Sequence, residues 1–425
     1  MLPDRVIKYL RSRGITGPWR ITGPDWGNFI GAVVIPSLAE SDSLFATLLS
    51  LAQNPPDLLS RFLVLVVVNH RADSPREDKD DNILTLRRLS ENAVSLAPMR
   101  LAWVDAASAG RELPAKGGGV GLARKIGFDL ALSLLAFERS DPLLIALDAD
   151  TLVRPDYLPS LVSHFQMAAA GGAVIPFCHQ GGSSPRHDRA IRRYELFLRS
   201  YVLGLSRADS PYAFHTVGSA MACTAGAYVM AGGMNSRVAG EDFYFLQQLH
   251  RTSGVAPVEG TVVYPSARAS RRVPFGTGRS IGRLLSDEEG AVLFYHPECF
   301  RILGEWLALV TDRADNGGEE IHLGSMEISR HLHEYLCGVR FPDVWEKLRN
   351  TCPDRSKLLT AFHGWFDGLK TMKLIHHLST EGFPRSQPEE AVPRLFDWAG
   401  LEPPADTEGQ LALLREMQIG EYFQA

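Results

Sequence analysis

The stretch LLIALDADTLVRPDYL, residues 143–158, decides the fold. Leu143 to Leu147 form an apolar run with no polar interruption, which fits a strand covered on both faces. Asp148 and Asp150 follow directly, and a helical pattern begins at Tyr157. Ligands of open α/β sheets gather beyond the carboxyl ends of the strands, so a pair of acids there stands where chemistry is expected. Positions i and i+2 of an extended chain point to the same side, and both carboxylates can therefore face one cleft. A hard divalent cation would offset their repulsion and bridge to a diphosphate. The plainer alternative makes them turn and N-cap residues. A buried strand ending in two acids is costly without a counter-charge, which favours a metal-binding role.

Outward from this strand the pattern repeats. Gly31 to Ile35, Phe62 to Val68, Leu101 to Val104, Ala173 to Pro176 and Val258 to Tyr264 read as further strands. Leu44 to Ala52, Ile83 to Ala93, Gly121 to Phe137 and Tyr157 to Ala170 carry the spacing of amphipathic helices. The βαβα succession predicts a mainly parallel, Rossmann-like α/β sheet with helices on both faces. Beyond about residue 285 the chain changes character. Cys299 to Leu309, Ile321 to Tyr335 and Lys357 to Leu378 read as long helices, with loops around Pro384 to Pro393 and at Pro403 and Pro404. The organisation expected is an N-terminal helical extension over residues 1–28, an α/β domain over 29–285 and a helical region over 286–425.

Composition sets outer limits. With 425 residues, 45% hydrophobic and 22% charged, the chain has the balance of a globular protein. A formal net charge of -5 argues against a coat for nucleic acid phosphates. Phe62 to Val68 is soon closed by Asn69, His70 and Arg71, far short of the roughly 20 apolar residues of a membrane span. The opening MLPDRVIKYLRSRG is charged throughout and lacks the apolar run of a secretory signal. A cytoplasmic location is expected, with peripheral contact at a membrane surface left open. Cys178, Cys223, Cys299, Cys337 and Cys352 are never spaced as CxxC and are expected to be reduced thiols.

A second acidic constellation, Gly240-Glu241-Asp242, opens the helical pattern of Phe243 to Leu249. Acids in a first helical turn are ordinary complements of the helix dipole. The functional reading makes one of them a general base that takes the proton of an attacking hydroxyl.

Four segments in this order resemble the family 2 glycosyltransferases of the GT-A fold: VVIPSLAESDSLFATLLSL, GGGVGLARKIGFDLA, LIALDADTLVRPDYL and GSAMACTAGAYVMAGGMNSRVAGEDFYFLQQL. The likeness spans about residues 29 to 285. It implies a GT-A domain that moves a sugar from a nucleoside-diphosphate sugar to an acceptor hydroxyl, with inversion. UDP is the favoured nucleotide and GDP the alternative, with manganese or magnesium as cofactor. Asp148 and Asp150 would bind the metal and the donor diphosphate or ribose. Asp242 would be the base, and Glu241 would orient the acceptor or that base. Pro36, Glu40, Asn69 and Arg124 would line the donor side, joined by Gly218 and Arg271.

This chain departs from the family pattern in several places. The usual Asn before the first acid is here Ala39, and the Asn after the helix Arg is Lys125. Asn69 stands where an Asp contacts the base. No His lies between residues 251 and 295, and PSARASRRVPFGTGRSIGR offers Arg268, Arg271, Arg272 and Arg279 instead, which could clamp a leaving diphosphate.

Lys116 to Gly121 lacks the GxxxxGK[ST] spacing of a phosphate loop. His322, His331, His333, His363, His376 and His377 show no metal-site spacing, and Trp306, Trp345, Trp365 and Trp398 are expected in the core. The competing functions are a nucleotidyltransferase and a non-catalytic nucleotide-sugar-binding or scaffold protein. The acceptor, whether a sugar, a lipid-linked or a small molecule, is left open, and so is a homodimer.

Overall fold

The computed structural model describes residues 2–23, 27–92, 96–138, 140–269, 276–286 and 292–419. The chain divides into two compact units, one of residues Met1–Ile191, Thr216–Gly282 and Glu416–Ala425, the other of Arg192–His215 and Arg283–Arg415.

Among the described residues the first unit is built on ten strands: β1 (Ile21–Thr22), β2 (Gly31–Ser37), β3 (Phe62–Asn69), β4 (Arg100–Ala106), β5 (Leu143–Ala146), β6 (Leu152–Val153), β7 (Gly172–Val174), β8 (Met221–Thr224), β9 (Val255–Pro257) and β10 (Val263–Tyr264). Eight of them form one sheet in the order β1-β4-β3-β2-β5-β8-β7-β9. β2 runs parallel to β3 and β5, β3 to β4, and β7 to β9. β1, and β8 against both its neighbours, run antiparallel. The expected mainly parallel α/β sheet is thus present. Every residue of β2 and β3 is buried, as strands covered on both faces require. Each fully buried Val, Leu or Ile contributes about 1.5–3 kcal/mol. That makes the run from Val64 to Val68 a main source of this unit's cohesion.

Two details place the site. β5 stops at Ala146, opposite Val34, so the carboxyl end of β2 runs on beyond its neighbour. Pro36, which lacks an N–H, sits in that overhang. β6 and β10 then pair as a separate antiparallel ribbon, Val153 against Val263 and Leu152 against Tyr264. The ribbon ties the chain just after Asp150 to the segment that carries Arg268.

Some strand expectations are corrected. The run Val258 to Tyr264 is not one strand: it begins after β9, only Val263 and Tyr264 form β10, and Gly260 at φ 82° turns the chain between the two strands. β8 falls inside the segment GSAMACTAGAYVMAGGMNSRVAGEDFYFLQQL, where no strand was expected. Met221 and its neighbours carry too few β-branched residues to announce a strand, and pairing on both sides holds them extended.

Among the described residues the second unit is helical, with the later part of the helix Pro185–Arg207, the helix Pro297–Asp312 and, in whole or in part, seven shorter helices from Gly318–Ile328 to Thr407–Ile419. Trp306, Phe341, Trp345 and Phe362 fill its core, the rings of Trp306 and Phe341 meeting edge-on at 4.9 Å. Trp365 and Trp398 are half-buried rather than fully in the core. Two expected long helices are each broken by a capping side chain. Ser329 accepts from Leu332 N–H, and Asp367 from Lys370 N–H. The expected loop around Pro384 to Pro393 is instead the helix Pro388–Trp398, with Pro388 in its first turn, where a missing N–H costs nothing. Among the described residues no helix is long and apolar enough to cross a membrane.

Candidate active site

The chain leaves β5 through a tight turn in which Thr151 N–H donates to the Asp148 carbonyl at 3.1 Å. Ala149 is buried, its carbonyl accepting from Thr47 Oγ1 at 2.9 Å, while the two flanking aspartates are half-buried. Gln180 Nε2 donates to the carbonyls of Asp150 at 2.9 Å and Tyr264 at 2.7 Å, which pins the turn to the β6–β10 ribbon.

Asp148 is held by Arg124, from the helix Val120–Ala131 that packs on β2 and β3. Arg124 Nη2 donates to Asp148 Oδ1 at 2.5 Å, and Nη1 pairs with Glu241. The guanidinium is only 2% exposed. Burial works against its charge, but Asp148, Glu241 and Asp242 outweigh that and raise its pKa above the ordinary arginine value. Gly218 makes room for it, since a Cβ there would stand 2.5 Å from Nη2.

Glu241 and Asp242 begin the helix Glu241–Ser253, entered through Gly240 at φ 69°, a left-handed turn that glycine adopts without strain. Glu241 is buried. Its carboxyl is raised above the usual range by burial and by Asp242 and Asp148, with Arg124 opposing. Asp242 is half-buried, accepts the Phe243 N–H at 2.7 Å, and is also raised, by burial first and then by Asp148.

Asp150 belongs to a second group. Arg268 Nη2 donates to Asp150 Oδ2 at 3.0 Å and also pairs with Glu40. Glu40 follows β2 through a loop held by the helix Arg76–Asn92. There Asn82 Oδ1 accepts Ala39 N–H at 3.0 Å, and Asp81 accepts Ser41 N–H at 3.1 Å. Ala39 has φ 52°, a left-handed conformation that an Asn would adopt at lower cost. Burial, then Glu40 and Asp148, push Asp150 up to about 7 despite Arg268.

The structure therefore brings together Glu40, Arg124, Asp148, Asp150, Glu241, Asp242 and Gly218. Asn69 lies at the end of β3 with both amide hydrogens committed, to the carbonyls of Ser37 at 3.1 Å and Val67 at 3.0 Å. Pro36 is buried within β2, and Arg271 lies outside the described residues. Gln180 had no signal in the sequence as a site residue, since its role exists only once β6 and β10 are paired.

Among the described residues no group of three or more His, Cys, Asp or Glu is placed to hold a metal ion alone. The donors present still fit a hard divalent cation shared with a ligand. They are carboxylate oxygens, and Asp150 is a carboxyl short of positive charge. Magnesium-like ions are commonly held by one or two carboxylates, with phosphate and water completing the shell.

No family model matches this chain, and no curated protein does. Solved structures to which it is similar include the mannosyltransferase PcManGT from Pyrobaculum calidifontis in complex with GDP-Man and Mn2+, at 14% identity, TM-score 0.37, and coverage of 92% of this chain and 95% of that one. S. aureus TarS 1–349 in complex with UDP-GlcNAc is similar at 12% identity, TM-score 0.37, and coverage of 64% and 70%. GalNAc-T7 with UDP, GalNAc and Mn2+ is similar at 15% identity, TM-score 0.35, and coverage of 62% and 48%.

Proposed function

We propose that this chain is a glycosyltransferase of the GT-A, family 2 type that moves a sugar from a nucleoside-diphosphate donor, UDP before GDP, to an acceptor hydroxyl. The observation that carries this reading is the gathering of Glu40, Asp148, Asp150, Glu241 and Asp242 beyond the carboxyl ends of β2 and β5, with Arg124 and Arg268 divided among them.

When bound, manganese or magnesium at Asp148 and Asp150 would supply Lewis-acid stabilisation of the departing diphosphate. The chain's own residues do the rest. Arg124 fixes Asp148 and Glu241 in one frame, so that the donor side and the acceptor side share a rigid strut. Glu241, sealed from solvent by that pairing, is a positioning residue for its neighbour. Asp242 accepts the proton of the acceptor hydroxyl as its oxygen attacks the anomeric carbon. The bond from that carbon to the diphosphate oxygen breaks, the nucleoside diphosphate leaves, and configuration inverts. Burial lifts Asp242 above the ordinary carboxylate range, which makes its anion a stronger base near neutral pH.

Asp242→Asn keeps the shape and removes the base. Transfer should fall about 10²–10⁴-fold, while manganese-dependent nucleotide binding, read by calorimetry, stays within a few-fold of wild type. Loss of both, or of neither, would remove Asp242 from this role.

A further inference from the structure

The two guanidinium groups of the site are built differently. Arg124 is sealed, 2% exposed, paired with both Asp148 and Glu241 and packed against Gly218. Arg268 stands four residues beyond β10 with 39% of its side chain exposed, and its Nη2 is shared between Asp150 and Glu40. A single nitrogen thus serves two carboxylates from different strand ends. It holds Asp150 at Oδ2, an oxygen that a divalent cation would also use.

We propose that Arg268 is an exchangeable latch. It holds Glu40 and Asp150 together in the ligand-free site, gives up Asp150 to an arriving divalent cation, and turns its guanidinium to the donor diphosphate. The inference rests on the nucleotide-sugar reading above and adds to it an order of events. Guanidinium and metal compete for one carboxylate, so the metal alone binds weakly. A diphosphate gives the displaced guanidinium a new anionic partner with matching fork geometry, so metal and nucleotide each strengthen the other's binding. Such coupling is reciprocal by necessity.

The test uses the full chain, with manganese chloride titrated while free Mn2+ is followed by electron paramagnetic resonance, with and without UDP or GDP. In Arg268→Met, Mn2+ alone should bind at least fivefold more tightly than in wild type. The nucleoside diphosphate in saturating Mn2+ should bind at least tenfold more weakly. Arg268→Lys, which keeps the charge without the fork, should fall between. Arg268 lies partly in solvent, and an unchanged melting temperature will show that the variants are folded. Mn2+ affinity that is unchanged or weaker in Arg268→Met, beside normal Mn2+-dependent nucleotide binding in wild type, overturns the latch alone. Failure of the wild-type chain to bind Mn2+ with any nucleoside diphosphate overturns the nucleotide-sugar reading, and the latch with it.

Discussion

In the helical unit, Glu195 is fully buried and takes two arginines. Arg199 Nε donates to its Oε1 at 3.0 Å, while Arg415 donates from Nε at 2.7 Å and from Nη2 to Oε2 at 3.1 Å. Beyond β2 and β5 the proportions reverse, with Arg124 and Arg268 divided among Glu40, Asp148, Asp150, Glu241 and Asp242. The two clusters use the same side chains, and their titration differs accordingly. Beside the arginine-rich cluster, His215 is pushed down to about 3, by burial and then by Arg199. In the acid-rich one, Asp150 is pushed up to about 7. A carboxylate with its full complement of donors is a structural tie. Carboxylates that outnumber their arginines are poised to receive a cation.

The largest effect expected from this contrast is on stability. Arg124→Met leaves Asp148 and buried Glu241 without their shared counter-charge and should cost about 3–5 kcal/mol, read from denaturant unfolding at pH 8. The cost should shrink at pH 5, where Glu241, its pKa already raised by burial, holds a proton. A loss that is small, or equal at both pH values, would mean that the strut is not electrostatic.

Asp150 gives a sharper prediction because its sign is unusual for an aspartate. Its folded pKa, about 7, lies above the ordinary aspartate value of 3.8, so the folded chain holds the proton more tightly. Its stabilising share is therefore full below pH 4 and is lost as pH rises through about 7. Without divalent cation, Asp150→Asn should be more stable than wild type at pH 8. The gain should reach a few kcal/mol at most, at about 1.4 kcal/mol for each tenfold change in proton affinity, and should vanish near pH 4. Added manganese together with a nucleoside diphosphate should close the gap by stabilising wild type alone. A variant less stable at pH 8 would contradict the claimed excess of negative charge.

Smallest is Gly218→Ala. The added Cβ would meet the Arg124 guanidinium at 2.5 Å and should cost about 1–3 kcal/mol by overpacking. Melting temperature would report it, and no change would show that Arg124 has room to shift.

Much of the sheet was legible because β2, β3 and β5 are unbroken apolar runs whose burial on both faces shows directly in their composition. β8 was not, since Met221 to Thr224 becomes a strand only through its partners. The helix breaks at Ser329 and Asp367 were hidden for a related reason, as both residues sit within continuous helical spacing and act only as caps. At the site, Asp148 and Asp150 could be picked out by their place after β5. The pairing of Arg268 with Glu40 and of Arg124 with Glu241 could not, because it joins residues 228 and 117 positions apart. Asn69 reads as a ligand contact in the sequence, and that its Nδ2 donates to the carbonyls of Ser37 and Val67 could not be read there.

The most direct test of the central claim is calorimetric titration of the full chain with UDP, GDP, CDP and dTDP, each with and without manganese, in wild type and Asp150→Ala. One nucleoside diphosphate should bind wild type only when the metal is present, and that binding should disappear in Asp150→Ala. Binding that ignores the metal and survives the substitution, or no binding by any of the four, would contradict the assignment of this acid-rich cluster to a nucleotide-sugar site.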